Sequence, residues 1–362
     1  MRVAVLGVGL IGGSIGLAAR RRLDAEVVGW GRSPERLRRA VELGAIDRAA
    51  DSVADACAGA DLVFCAGPVA ALPRQAREAL AASGPETAVS DVGSTKGDLV
   101  AALGDDERFI GGHPLAGAET AGVENAREDL FAGARWYLTP TERSSGLLYD
   151  RLQRAISALG ARPQAIDPQG HDRLMATVSH LPHVLANALA SEAAESLTQD
   201  SERLPDVGPS FRDATRVAGS NPAIWADIFA SNREAVARSV DSVAERLRQA
   251  AELIRAGDRE ALAAWHGAAG EDRRRLLELE SEAGPLRELR IVVANRPGTI
   301  AELALALGEA GVNIEDMALY PAPDMTSGAV SVWVAGDEQA AKAAGLVREL
   351  GHTVTVLDAP DA

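Results

Sequence analysis

Residues 1–16 read Met1-Arg2-Val3-Ala4-Val5-Leu6-Gly7-Val8-Gly9-Leu10-Ile11-Gly12-Gly13-Ser14-Ile15-Gly16. A short apolar run passes directly into glycines at positions 7, 9 and 12, and helix-forming residues follow. That succession of strand, glycine turn and helix is the setting a phosphate-binding loop requires. Gly7 permits a tight turn, Gly9 lets backbone approach a pyrophosphate, and Gly12 lets the helix lie close against the strand. Leu10 and Ile11 open that helix, whose free N–H groups and positive end suit phosphate oxygens. The stretch therefore predicts a dinucleotide-binding domain of the Rossmann type.

Working outward, residues 1–166 keep alternating short apolar runs with helical stretches. The runs are Val3 to Leu6, Glu26 to Trp30, Asp61 to Ala66, Thr87 to Val92, Phe109 to Gly112 and Trp136 to Leu138. They are apolar without strict alternation, as expected of a parallel, doubly wound α/β sheet covered on both faces. Over residues 167–284 the strand signals stop and helical spacing takes over, as in Val236, Val240, Val243 and Leu247. An all-helical domain is expected there, with long helices from Ile224 to Arg255 and from Asp258 to Glu282. They offer more apolar face than one chain uses, so the expected partner is a second copy, giving a homodimer. Beyond the turn-forming pair Gly284-Pro285, residues 286–362 run strand, helix, strand, strand, helix, strand, the ferredoxin-like βαββαβ order.

With 362 residues the chain can hold two or three cores. Its formal net charge of -15 leaves no general basic surface, which speaks against nucleic acid or an anionic membrane as partner. No apolar run approaches the length of a membrane span. Two cysteines, Cys57 and Cys65, have no metal-ligand spacing, and such sparse use suits a reducing compartment. The first residues enter a strand at once, so the expected location is cytoplasmic.

At the end of the second strand, Gly29-Trp30-Gly31-Arg32-Ser33 carries no acid to hold a ribose 2′-hydroxyl. Arg32 and Ser33 suit a 2′-phosphate instead, and Gly31 leaves it room. Alternatively Arg32 stacks on adenine, which serves either cofactor. The cofactor is thus NAD or NADP, with NADP favoured.

Four segments carry the residues of a reaction. They are Ser90-Asp91-Val92-Gly93-Ser94-Thr95-Lys96; Gly111-Gly112-His113-Pro114-Leu115-Ala116-Gly117 with Glu119; His171-Asp172 with Ser179-His180-Leu181-Pro182-His183; and Phe211-Arg212-Asp213-Ala214-Thr215-Arg216 with Trp225 beyond. The first two follow apolar runs, so they fall at the carboxyl edge of the sheet, where ligands bind in this fold. Each residue also has a plainer reading: His113 as a structural histidine, Ser94 as a helix cap, Glu119 as an exposed acid, Arg212 turned to solvent, Trp225 as core. His180 and His183 lie a helical turn apart, yet no third ligand stands with them, so no metal is expected.

In their order and spacing, the glycine fingerprint and these four segments resemble the prephenate dehydrogenase family, which includes arogenate and cyclohexadienyl dehydrogenases. The resemblance covers residues 1 to about 282. It implies oxidation and decarboxylation of a small cyclohexadienyl acid, prephenate or arogenate, on the route to tyrosine. His113 would accept the proton of the ring hydroxyl, with Ser94 supporting that hydroxyl or the histidine. Arg216 would clamp the ring carboxylate, His183 and Glu119 would line the pocket, and Arg212 would meet the side chain that distinguishes the two acids. Residues 286–362 resemble an ACT domain, through Asn295-Arg296-Pro297-Gly298 at the first turn and Gly311-Val312-Asn313-Ile314 entering the second strand. That likeness implies a regulatory unit with an aromatic amino acid, tyrosine, as effector. Two rivals remain. A β-hydroxyacid dehydrogenase shares the layout but normally carries a lysine on its interdomain helix, and no lysine lies between His171 and Glu282. A non-catalytic dinucleotide or amino-acid sensor would bind without turnover.

Overall fold

In the computed structural model, the described residues are 1–117, 120–198, 207–278, 286–294, 296, 298–321 and 327–357. The chain divides into two compact units, Met1–Leu247 and Arg248–Ala362.

The first unit is built on eight strands, β1 (Arg2–Leu6), β2 (Glu26–Trp30), β3 (Arg48–Ala49), β4 (Leu62–Cys65), β5 (Ala88–Asp91), β6 (Phe109–Pro114), β7 (Arg135–Thr139) and β8 (Arg162–Ala165), in spatial order β3-β2-β1-β4-β5-β6-β7-β8. The helices among them are α1 (Leu10–Leu23), α2 (Pro34–Glu42), α3 (Val53–Cys57), α4 (Leu72–Ala82), α5 (Gly97–Leu103) and α6 (Gly146–Ala158). β1 lies inside the sheet, third from one edge, with Val3 in register with Val27 of β2 on one side and Leu62 of β4 on the other. Successive side chains of a strand point to opposite faces, and both faces here are covered. Val3, Val5, Val27 and Phe64 join the Ile15 and Ala19 side of α1, whereas Ala4, Leu6, Val63 and Cys65 pack with Leu72, Ala76 and Ala79 of α4.

The structure corrects the sequence reading at three places. β7 pairs antiparallel with β6, His113 opposite Tyr137, so the sheet is not wholly parallel. The chain between these strands has only a short 3-10 turn at Val123–Asn125 among its described residues, rather than the crossover helix that parallel pairing requires. Two strands were not expected. β3 is two residues long, and β8, Arg162-Pro163-Gln164-Ala165, is an edge strand without an apolar run. Finally, the long helix expected from Ile224 to Arg255 is two helices, broken at Asn232.

The helical elements are α7 (Pro168–Met175), a π-helical turn (Ala176–His180), α8 (Leu181–Thr198), α9 (Pro209–Thr215), α10 (Pro222–Ser231), α11 (Arg233–Ala256) and α12 (Arg259–Glu278). Pro182 lacks the N–H that a regular ladder would use, and the five-residue π turn ends just before it, where backbone bonding is already relaxed. The second unit contains β9 (Leu286–Ala294), α13 (Thr299–Glu309), β10 (Asp316–Pro321), β11 (Ser327–Ala335), α14 (Asp337–Glu349) and β12 (Thr353–Leu357). Its four strands form one sheet in the order β10-β11-β9-β12, antiparallel at each pairing. Leu289, Ile291, Val330 and Val332 of the sheet pack with Leu303 of α13 and Val347 of α14. No described helix is long and apolar enough to cross a membrane.

Candidate active site

β1, β5 and β6 run parallel through the sheet, so the segments that follow their C-terminal ends open on the same edge. At the end of β1, Gly7 has φ +105°, a conformation that glycine adopts without strain. A Cβ on Gly12 would overlap the Gly7 carbonyl oxygen, so α1 sits against the turn only because position 12 has no side chain. Gly9 is the N-cap of α1 and faces open space; no side chain bonds the helix's first N–H groups. An uncapped helix start beside unfilled space fits a pyrophosphate. The adjoining cleft is lined by Gly7, Gly9, Arg32, Ser33, Arg36 and Arg74, among others. Leu10 and Ile11 pack partly into the core instead of lining the cleft. Ser33 also caps α2, accepting a hydrogen bond from the Arg36 N–H at 3.3 Å. Arg36 and Arg74 were not singled out in the sequence; Arg36 lies in the first turn of the helix after the second strand, whereas Arg74 comes from α4, after β4.

At the end of β5 the loop to α5 is fixed from within. Lys96 and Asp91 are wholly buried and form an ion pair, and Asp91 also accepts from the Gly93 N–H at 2.7 Å and the Gly112 N–H at 3.0 Å. A buried pair whose carboxylate also takes these two backbone N–H groups ties β5 and β6 together. Ser94 is half-buried two residues before Lys96. Lys96 rather than Ser94 is the N-cap of α5, so the plain capping role is not the one Ser94 plays.

His113, at the end of β6, is half-buried, and its Nδ1 lies 2.9 Å from Nε2 of His171 on α7. Nδ1 of His171 lies 2.8 Å from Asp172 Oδ1, and the Asp172 carboxylate accepts from the N–H groups of Lys96 at 2.8 Å and Gly97 at 2.7 Å. Burial opposes the ionised Asp172 carboxyl, but the bonds from His171, Gly97 and Lys96 hold it below the usual carboxylate range. Burial, followed by the nearby His171, Lys96 and His180, pushes the His113 imidazole well below its usual range. His113 is therefore neutral at physiological pH. Its Nε2 has no hydrogen-bond partner among the described residues.

The break at Asn232 serves the same cluster. Its buried amide donates to the Asp172 carbonyl at 2.8 Å and lies 3.2 Å from His180 Nδ1. His180 is buried, with its pKa pushed down to about 4 by desolvation, and its Nε2 has no partner among the described residues. His183 stacks on Trp225, centroids 3.4 Å apart, and both line an open pocket with Gly117, Arg216 and Asn221. Burial and then the Arg216 charge lower the His183 pKa. Trp225 is thus a wall of the pocket. Arg212, on α9, is exposed and does not line it. Glu119 lies outside the described residues.

In the second unit, Gly298 (φ +93°) precedes α13 and Gly311 (φ +74°) follows it. Asn313 donates to Glu315 at 2.7 Å, and Ile314 packs partly against the core. Asn295 is outside the described residues.

Residues 15–164 match the family model described as prephenate dehydrogenase, nucleotide-binding domain, and residues 167–267 match prephenate dehydrogenase, dimerization domain. A prephenate dehydrogenase of Bacillus subtilis is 30% identical over 351 residues, 94% of this chain and 94% of that one. The chain belongs to the prephenate dehydrogenase family. Among solved structures, a prephenate dehydrogenase of Aquifex aeolicus in complex with hydroxyphenyl propionate and NAD+ has 32% identity and a TM-score of 0.70, covering 76% of this chain and 98% of that one. An arogenate dehydrogenase of Synechocystis has 28% identity and a TM-score of 0.67, covering 76% and 100%. Membership makes the chain an oxidoreductase that binds a nicotinamide dinucleotide, consistent with the glycine turn and the cleft beside it.

Proposed function

We propose that this prephenate dehydrogenase family member oxidises the ring hydroxyl of prephenate, with loss of the ring carboxylate as carbon dioxide, in tyrosine biosynthesis. The single observation that carries the reading is a neutral His113 with an unpartnered Nε2 at the sheet edge where the dinucleotide cleft opens. Bound nicotinamide supplies the hydride acceptor. His113 takes the hydroxyl proton on Nε2 as hydride leaves the same carbon, general-base work suited to a group that stays neutral at working pH. Ser94 supports the hydroxyl or the histidine. The ketone then draws electrons from the ring carboxylate, and loss of carbon dioxide leaves an aromatic phenol. Arg216, beside His183 and Trp225, holds that carboxylate before it leaves, a task suited to a planar guanidinium. Glu119 lies outside the described residues, and a part for it in the pocket rests on the family resemblance alone. Steady-state rates with prephenate and arogenate, each with NAD and NADP, test the reading; turnover with neither acid overturns it. The arogenate alternative is favoured only if arogenate has the higher kcat/KM, as expected if Arg212 stays turned to solvent.

For the cofactor we read NADP over NAD, because Arg32, Arg36 and Arg74 line the cleft and no acid ends β2. Arg32→Ala should weaken NADP far more than NAD in equilibrium titrations; equal losses would mean that the guanidinium stacks on adenine. The enzyme acts as a homodimer paired through its helical part, where Val178, Leu189, Ile224 and Leu247 are exposed. The C-terminal unit is read as an ACT-like regulatory module that takes tyrosine, and the whole as cytoplasmic.

A further inference from the structure

The hydrogen-bond chain behind His113 runs outward from a carboxylate. A carboxylate only accepts, so the His171 nitrogen 2.8 Å from Asp172 must carry the hydrogen. If that is the ring's one hydrogen, His171 Nε2 is an acceptor and a hydrogen on His113 Nδ1 makes the 2.9 Å contact a bond; a second hydrogen on His171 would reverse that bond and put the His113 hydrogen on Nε2. In the first arrangement neutral His113 has its one ring hydrogen on Nδ1, so its outer nitrogen, Nε2, is left as a lone pair. We propose that His171 and Asp172 are positioning residues that hold His113 in the Nδ1–H tautomer, so that Nε2 faces the substrate as a proton acceptor. The proposal rests on the reading of His113 as the base, and its chemistry is that of any imidazole oriented by a second group.

Other features of the site share the bias. Asp172 is fixed by the N–H groups of Lys96 and Gly97, which leaves its carboxylate no freedom to turn away from His171. His171 is completely buried and meets Tyr137 edge-on at 5.7 Å, with His113 edge-on at 5.1 Å, so both ring planes are set by packing. When His113 gains a proton on Nε2, the resulting cation keeps its bond to His171 and, through it, faces the Asp172 charge. The proton moves from the substrate oxygen to Nε2 and no other bond changes along the chain.

The tautomer is directly observable. In long-range proton–nitrogen spectra of the full-length enzyme, with the His113 ring assigned by its loss in His113→Asn, the proposal expects a protonated Nδ1 and a bare Nε2. Finding the hydrogen on Nε2 overturns it, whatever the enzyme's activity. His171→Phe keeps a flat buried ring but removes the acceptor, so His113 should switch to the Nε2–H form and kcat should fall at least about tenfold, with KM for prephenate little changed. His171→Gln offers an acceptor to His113 and a donor to Asp172 in the same order, and should recover most of the loss. Unchanged kcat in His171→Phe, or no recovery in a folded His171→Gln, also overturns the proposal. Failure of His113 as base shows separately, as turnover that survives His113→Asn. Should His171→Phe not fold, the tautomer of the unmodified enzyme still decides.

Discussion

His113 has a motif around it, Gly111-Gly112-His113-Pro114, that separates it from an ordinary structural histidine, but its partners are invisible in the sequence. His171 is 58 positions away and meets it only because the end of β6 lies beside the first half of α7. His113→Asn should lower turnover by roughly a hundred- to ten-thousandfold with folding intact, as for loss of a general base; near-normal turnover in a steady-state assay would remove it from that role. The pH dependence has a definite sign. Protonated His113 cannot accept, and burial beside His171, Lys96 and His180 moves its pKa well below 6.5. kcat/KM should therefore stay level as pH falls to about 6.5 and decline only well below it. An acid limb centred above pH 6.5 would mean that another group titrates. Arg216→Ala should weaken prephenate binding by ~2 to 5 kcal/mol while cofactor affinity hardly changes, since a carboxylate in the pocket loses its charge partner. Joint loss of both affinities would make Arg216 structural.

At the scale of elements, periodicity found the strands with apolar runs and missed those without them, because an edge strand such as β8 buries little and leaves no pattern. It likewise ran α10 and α11 together. The residues on either side of Asn232 keep helical spacing, and what stops the helix is a side chain turned inward to two buried acceptors. A tertiary demand overrode local propensity there. Asn232→Ala leaves the Asp172 carbonyl with the Ala176 N–H but strands the buried His180 Nδ1, so chemical denaturation should show a loss of about 1 to 3 kcal/mol. A loss under about 0.5 kcal/mol would mean that His180 Nδ1 finds water instead.

Across the whole molecule, the sequence was most legible where one segment carries both structure and chemistry, as in the glycine turn, and least where distant segments converge, as at His113, His171 and Asn232. The βαββαβ order of the second unit was also legible, since each of its elements has its own period. Its regulatory role is a proposal, motivated by its lack of any proposed catalytic residue and by the resemblance of its sequence around Gly298 and Gly311 to an ACT domain. The solved Aquifex aeolicus chain is 98% covered by 76% of this one, and the two family models match only residues 15–164 and 167–267. A chain ending at Gly284 should accordingly keep dehydrogenase activity. If tyrosine acts through the C-terminal unit, its coupling to the active site is expected to be ~1 to 3 kcal/mol, which the shortened chain would lose entirely. Rates of both forms against rising tyrosine separate the possibilities. Inhibition of the full chain alone supports the regulatory role, whereas equal inhibition of both places tyrosine in competition at the active site and removes that role.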